Sequence, residues 1–159
     1  MPLLSRNHIK LTLEGAKLIL EGAEKKATEI GVNMDIAVVD EAGMLLAFHR
    51  MNGAKITSID IAINKAFTAA GTRKSTSEYA SIGGPGGPAF GIHASNQGRF
   101  TIFGGGVPIL VEDQTIGAVG ASSGSVEQDE AVAKAGIDHF LQQVGKESRS
   151  IPNSASLKS

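Results

Sequence analysis

The chain contains no cysteine among its 159 residues, and aromatic side chains make up only 4% of it, with no tryptophan and a single tyrosine. The absence of cysteine excludes disulfide bonds, thiolate nucleophiles, zinc–cysteine sites and iron–sulfur clusters. Because aromatic rings are so few, the core must be built from alanine, valine, isoleucine and leucine, packed closely with small residues between elements.

Long runs of charge or of apolar residues are also missing. The 15 Lys and Arg residues nearly balance the 16 Asp and Glu residues, and no extended basic segment is present. Electrostatics therefore give no support to a nucleic-acid or anionic-membrane partner. No apolar run approaches the roughly 20 residues that span a bilayer, and residues 1–6 lack the features of a secretory signal. We expect a cytoplasmic protein with no nucleic-acid or membrane partner.

Hydrophobic periodicity predicts a single α/β (α+β) domain over residues 1–144. Apolar residues spaced three and four apart predict a helix at 13–30, which begins after Thr12, ends at Gly31 and lies on a sheet. A glycine turn with a bulge is predicted between the first two strands. Strands are predicted at 35–40, 44–51, 100–103, 107–112 and 115–122. Further helices are predicted at 58–70, with capping groups from Thr57 onward, from 75, and at 125–144, where Ser125 and Gln128 form a capping box.

Two segments lack such periodicity. Residues 83–98, rich in glycine and proline, are predicted to form a functional or mobile loop. Residues 145–159 are polar and have no core pattern, so we expect a disordered tail. The order of the elements predicts an antiparallel sheet with helices over one face or both.

Four segments together resemble the GlcG/HbpS family, which includes the C-terminal domain of PduO-type proteins. They are 38–43 (VVDEAG), 50–54 (RMNGA), 62–69 (AINKAFTA), and 103–109 (FGGGVPI) with 116–120 (IGAVG) and Asp129. The chain departs from the family pattern at Asn52, where aspartate is more common, and at 122–124, where Ser-Gly-Gly is more common. The resemblance implies a profilin-like antiparallel sheet flanked by helices and a homo-oligomer. Some members bind haem, PduO-type domains are linked to corrinoid metabolism, and others accompany glycolate or aromatic catabolic enzymes.

Histidine is the best remaining ligand for haem iron or another metal in a chain without cysteine. His93 lies in the predicted glycine-rich loop, where backbone and ligand can approach closely, and His49 lies on a predicted strand. Each is a candidate axial ligand or acid–base group, and the alternative is an exposed imidazole. We take His93 as the first candidate for the haem ligand.

Arg50 and Lys65 offer an anion-binding pair for a carboxylate or a haem propionate. The alternative for either cation is a structural salt bridge with Asp40 or Asp60. Lys65 stands among small alanines on its predicted helix, which favours burial near the sheet.

Gly105 and Gly106 belong to a triple-glycine run that lacks the spacing and the Lys-Ser pair of a phosphate-binding P-loop. We interpret the run as a bend that lets the backbone approach a ligand or a neighbouring subunit. Nucleotide binding is disfavoured.

Two functional hypotheses follow from these residues and the resemblance. The first is a protein that binds a small ligand, haem or a related tetrapyrrole. The alternative is a small enzyme or enzyme accessory that acts on a carboxylated metabolite in a catabolic pathway, with Arg50 and Lys65 as anchors and a histidine as acid–base group. The low aromatic content counts against a dedicated haem pocket. We rank the binding protein first.

Overall fold

The computed structural model describes the backbone of residues 1–150 and the side chains of residues 1–148. Within this range the strands are β1 (Asp35–Asp40), β2 (Leu45–Arg50), β3 (Gly106–Val111) and β4 (Gln114–Ser122), and the helices are α1 (Leu13–Glu29), α2 (Ser58–Thr72), α3 (Tyr79–Gly83) and α4 (Val126–Ser150). The strands form one antiparallel sheet in the order β2-β1-β4-β3. The predicted antiparallel sheet flanked by helices is confirmed.

Helices cover both faces of this sheet. Helices α1 and α4 pack side by side on one face, where Ile36 and Val38 of β1 point. Helix α2 covers the other face, above Ala37 and Val39. It lies so close to β4 that a Cβ added to Gly120 would come within 2.0 Å of the Ala62 carbonyl oxygen. Small residues on both elements permit this distance.

The ends of α1 follow local sequence rules. The Thr12 side chain accepts a hydrogen bond from the Gly15 amide at 3.1 Å. At the other end Gly31 adopts a φ of +72°, and the amides of Gly31 and Val32 bond to carbonyls of the last turn. Both predicted ends are confirmed. The apolar face of α1 packs chiefly on α4; its residues Ala16, Leu20, Ala23 and Ala27 are buried, as the spacing predicts, while Leu13 is exposed.

The hairpin between β1 and β2 has the predicted bulge. The Asp40 carboxylate accepts hydrogen bonds from the amides of Ala42 and Met44, and Gly43 has a φ of +77°. The strand register shifts between Val38 and Val39. This geometry places Asp35 opposite Arg50 at the far end of the hairpin.

Three sequence-based expectations were wrong. Residues 100–103 form no strand, since the Thr101 amide bonds to the Thr68 hydroxyl of α2 rather than to a neighbouring strand. Thr57 does not cap α2 with its side chain. Helix α4, which begins with reciprocal bonds between Ser125 and Gln128, continues to Ser150 and so includes residues 145–150 of the expected disordered tail. Residues 151–159 lie outside the described part of the chain.

None of the helices in the described range is both long enough and apolar enough to cross a membrane.

Candidate functional site

Lys65 of α2 is fully buried and is held by groups of its own fold. Its Nζ donates to Asp129 Oδ2 at 2.8 Å and to the Ala121 carbonyl oxygen at 2.9 Å. The ring centroid of Phe103 lies 5.0 Å from the same nitrogen. Burial lowers the pKa of Lys65, while the hydrogen bond and the charge of Asp129 raise it. The structure therefore corrects the expected ligand-binding role: Lys65 ties α2 to β4 and α4, and it does not reach the surface.

The predicted glycine bend lies against this lysine. Gly105 has a φ of +126°, and a Cβ added to it would come within 2.6 Å of Lys65 Nζ. The Gly106 amide donates to the Thr76 hydroxyl at 2.9 Å, and a Cβ on Gly106 would meet the Lys65 carbonyl oxygen at 2.4 Å. The structure thus brings Lys65, Gly105 and Gly106 together. The backbone approach made possible by the glycines is to Lys65 itself.

Arg50 lies at the end of β2, one of the two outer strands of the sheet, and its side chain is exposed. It forms no ion pair in the described part of the chain, so the expected alternatives Asp40 and Asp60 do not neutralise it. Its register partner on β1 is Asp35, which is fully buried. Burial raises the pKa of Asp35, and the positive charge of Arg50 lowers it.

His49 precedes Arg50 on β2 and points to the opposite face, as successive strand residues do. Its Nδ1 lies 2.8 Å from Oε2 of Glu24 on α1, and 48% of the side chain is exposed. A cavity of about 250 Å³ at β2 is lined by Glu24, Phe48, His49, Arg50 and Met51. The cavity is therefore lined by an imidazole, which can bind a metal, and by a guanidinium, which can bind a carboxylate.

The remaining histidines lie elsewhere. His93 is exposed on a 3-10 turn at Ile92–Ala94, with its ring 6.1 Å from that of Phe90, and it does not line the cavity at β2. The ring of His8 bonds to the Ser5 hydroxyl. Within the described residues, no cluster of three or more His, Asp or Glu side chains could hold a metal ion. Of the sequence candidates, Arg50 and His49 line the cavity at β2, whereas Lys65 and His93 do not.

Two residues of this region were missed by the sequence analysis, Glu24 and Asp35. Counting outward from the predicted turn would have placed His49 opposite Asp35. The register shift between Val38 and Val39 brings Arg50 there instead, and the sequence carries no clear signal for that shift. No sequence signal pairs Glu24 with His49, because the contact depends on how α1 packs beside β2.

A family model described as haem degrading protein HbpS-like matches residues 11–138. That range includes the whole sheet, helices α1 to α3 and half of α4. The chain belongs to the HbpS-like family. The resemblance noted in the sequence is therefore confirmed.

Individual proteins similar to this chain agree with this assignment. An uncharacterised 15.0 kDa protein from the dhaT-dhaS intergenic region of Citrobacter freundii is 43% identical over 132 residues, covering 83% of this chain and 93% of that protein. The crystal structure of Klebsiella pneumoniae ORFY is 39% identical, with a TM-score of 0.84 over 89% of this chain and 98% of that one. The crystal structure of a complex of PduOC with haem is 30% identical, with a TM-score of 0.79 over 82% and 95% of the two chains.

Proposed function

We propose that this HbpS-like chain binds haem or a related tetrapyrrole at the free edge of β2, with His49 as the iron ligand and Arg50 as the anchor for a propionate. The observation that carries the proposal is the 2.8 Å contact between His49 and Glu24 in the cavity that Arg50 also lines. The family description and the haem complex of PduOC support this choice of ligand.

The contact with Glu24 prepares His49 for a metal. Metal-binding histidines commonly donate their second ring N–H to a carboxylate, which fixes the tautomer and makes the imidazole more basic. With Nδ1 donating to Glu24, the lone pair of Nε2 is free at a half-exposed side chain. His93 lacks such a partner in the described chain. We therefore place His49 ahead of His93, reversing the order that the sequence suggested.

Arg50 suits a propionate because the guanidinium fork matches a carboxylate. Phe48 and Met51 add apolar surface beside it. The cavity volume of about 250 Å³ is below the range of about 300–1,000 Å³ typical of small-ligand pockets. The donor groups thus fit haem, while most of the macrocycle would extend beyond the cavity. Bound haem would supply a redox-active iron, and the protein residues would hold and orient it.

The alternative function is chemistry on a carboxylated metabolite, and it was expected to use Arg50 and Lys65 to bind the carboxylate. Lys65 is buried and bonded within the fold, so only Arg50 remains to meet a carboxylate. No separate observation favours that reading. The cytoplasmic location and the catabolic role stay predictions.

Titration of haemin into the purified protein, followed at the Soret band, tests the proposal. The parent protein should bind one haemin per site, and His49→Ala should lose the low-spin spectrum and bind at least about tenfold more weakly. Arg50→Gln should weaken binding about 10- to 150-fold, the equivalent of about 1.5–3 kcal/mol for a hydrogen bond to a charged group. His8→Ala, also an exposed histidine, is the matched control and should bind normally.

The same titration distinguishes the two candidate histidines. If His93→Ala loses the low-spin spectrum while His49→Ala keeps it, the iron ligand is His93 and the site at β2 is wrong. If the parent protein gives no defined Soret shift, the proposed function is refuted as a whole.

A further inference from the structure

The carboxyl group of Asp35 is a buried group that the proposed function does not use. The residue is fully buried, and neither carboxylate oxygen has a hydrogen-bond partner in the described chain. Almost all buried polar groups in folded proteins have a partner, and an ionised carboxylate without one is costly to bury. The ionisation of Asp35 must therefore depend strongly on nearby charge.

Arg50 is the charged residue that acts on Asp35, from directly across the strand pair. On the other side, the β4 partner of Asp35 is the uncharged Ser122. From α2, the buried cation Lys65 is bonded to Asp129 and to the main chain of β4 instead.

The other charged groups nearby are paired with each other or exposed. On the opposite face of the sheet, Glu24 of α1 bonds to His49. Asp60, in the first turn of α2, is exposed to solvent. Arg50, directly opposite on β2, is the residue whose charge lowers the pKa of Asp35.

Arg50 is also free to bind a ligand. It makes no ion pair with Asp35 or with any other acid in the described part of the chain, and its side chain is exposed at the cavity. The same guanidinium can thus stabilise the ionised form of the buried carboxyl at a distance, through its charge, and bind an incoming anion by direct contact.

We propose that Asp35 takes up a proton when an anionic group binds Arg50, so that the site binds its anion together with a proton. Before binding, the charge of Arg50 offsets part of the cost of an ionised Asp35. A ligand carboxylate on the guanidinium cancels that charge, and Asp35 then accepts a proton from solvent. One anion and one proton enter, so the net charge of the protein does not change. The proposal rests on the proposed function for the identity of the anion, a porphyrin propionate.

The sign of the pH dependence follows from linkage. Ligand binding raises the pKa of Asp35, so the complex holds more protons than the free protein between the free and bound pKa values. Binding therefore becomes tighter as the pH falls through that interval and is independent of this group outside it. The buried carboxyl makes no contact with the ligand and acts through Arg50 as a positioning residue.

The pairing of Asp35 with Arg50 is tested first without ligand, by following the Asp35 side-chain carboxyl carbon by NMR through a pH titration. In Arg50→Gln the pKa of Asp35 should lie above that of the parent protein, because the lowering charge is gone. Arg73→Gln, which removes an exposed arginine at the end of α2, is the matched control and should leave it unchanged. Equal pKa values in the parent and in Arg50→Gln would overturn the pairing.

Proton uptake is tested by calorimetric titration with haemin in two buffers of different ionisation enthalpy. The parent should take up a fraction of a proton per haemin near the pKa of Asp35, and Asp35→Asn should take up less. Equal uptake by the two proteins, with haemin bound by both, would overturn the proposal. If the parent binds no haemin, the proposed function and the proton-linked binding both fail, and the ligand-free titration still decides the pairing.

Discussion

Substitution of Lys65 by methionine should lower the free energy of unfolding by about 3–5 kcal/mol, the usual cost of removing one partner from a buried ion pair. Methionine preserves most of the length of the side chain, so the cost arises from the groups left behind. These are Asp129 Oδ2 and the Ala121 carbonyl oxygen, which lie 2.8 and 2.9 Å from Lys65 Nζ. The side chains of Lys65 and Asp129 are 0% and 4% exposed, so water cannot replace the lost donor.

A double-mutant cycle measured by urea unfolding separates the pair from its surroundings. Asp129→Ala alone should cost a similar amount, because it leaves the ammonium group buried without its counter-ion and removes the acceptor of the Gly124 amide. The double variant should cost less than the sum of the two single changes by about 0.5–3 kcal/mol. Lys134→Met, which breaks the partly exposed pair with Glu130 on the same helix, is the control and should cost less than about 1 kcal/mol. Additive single effects, or a loss below about 1 kcal/mol for Lys65→Met, would refute the reasoning.

Three further predictions follow from other features. Because burial raises the pKa of Asp35, the contribution of this residue to stability is full below the ordinary pKa of aspartate and is lost as the pH rises through the raised value. Asp35→Asn should remove this loss. If the urea midpoints of the parent and of Asp35→Asn depend equally on pH, the prediction is wrong. Gly105→Ala should cost about 1–3 kcal/mol in thermal unfolding, because its φ of +126° disfavours a side chain and the added Cβ would meet the Ala121 carbonyl oxygen at 2.6 Å. An unchanged melting temperature would show that the bend adapts. We also predict a homo-oligomer, since exposed apolar side chains such as Met44 and Ile56 can be buried between copies; a monomer mass in light scattering at micromolar concentration would exclude it.

The sequence by itself determined the features that depend on residues close together along the chain. The cap at Thr12, the glycine end of α1 and the capping pair of Ser125 with Gln128 each join residues at most five apart, so their residue types specify them. The glycine turn at Gly43 predicted the hairpin, and the order of the elements predicted the antiparallel sheet. Family membership followed from the order of several short segments.

Tertiary structure decided which of the candidate residues meet. Lys65 bonds to Asp129, 64 residues away, and is thereby an anchor of the fold rather than a ligand contact. His49 contacts the carboxylate of Glu24, 25 residues earlier in the chain, because α1 packs beside β2. Residues 100–103 have a strand-like composition, yet their backbone is bonded to α2. In each case the outcome depends on packing between elements distant in the chain, and local residue types carry no information about which distant group will supply the hydrogen-bond partner.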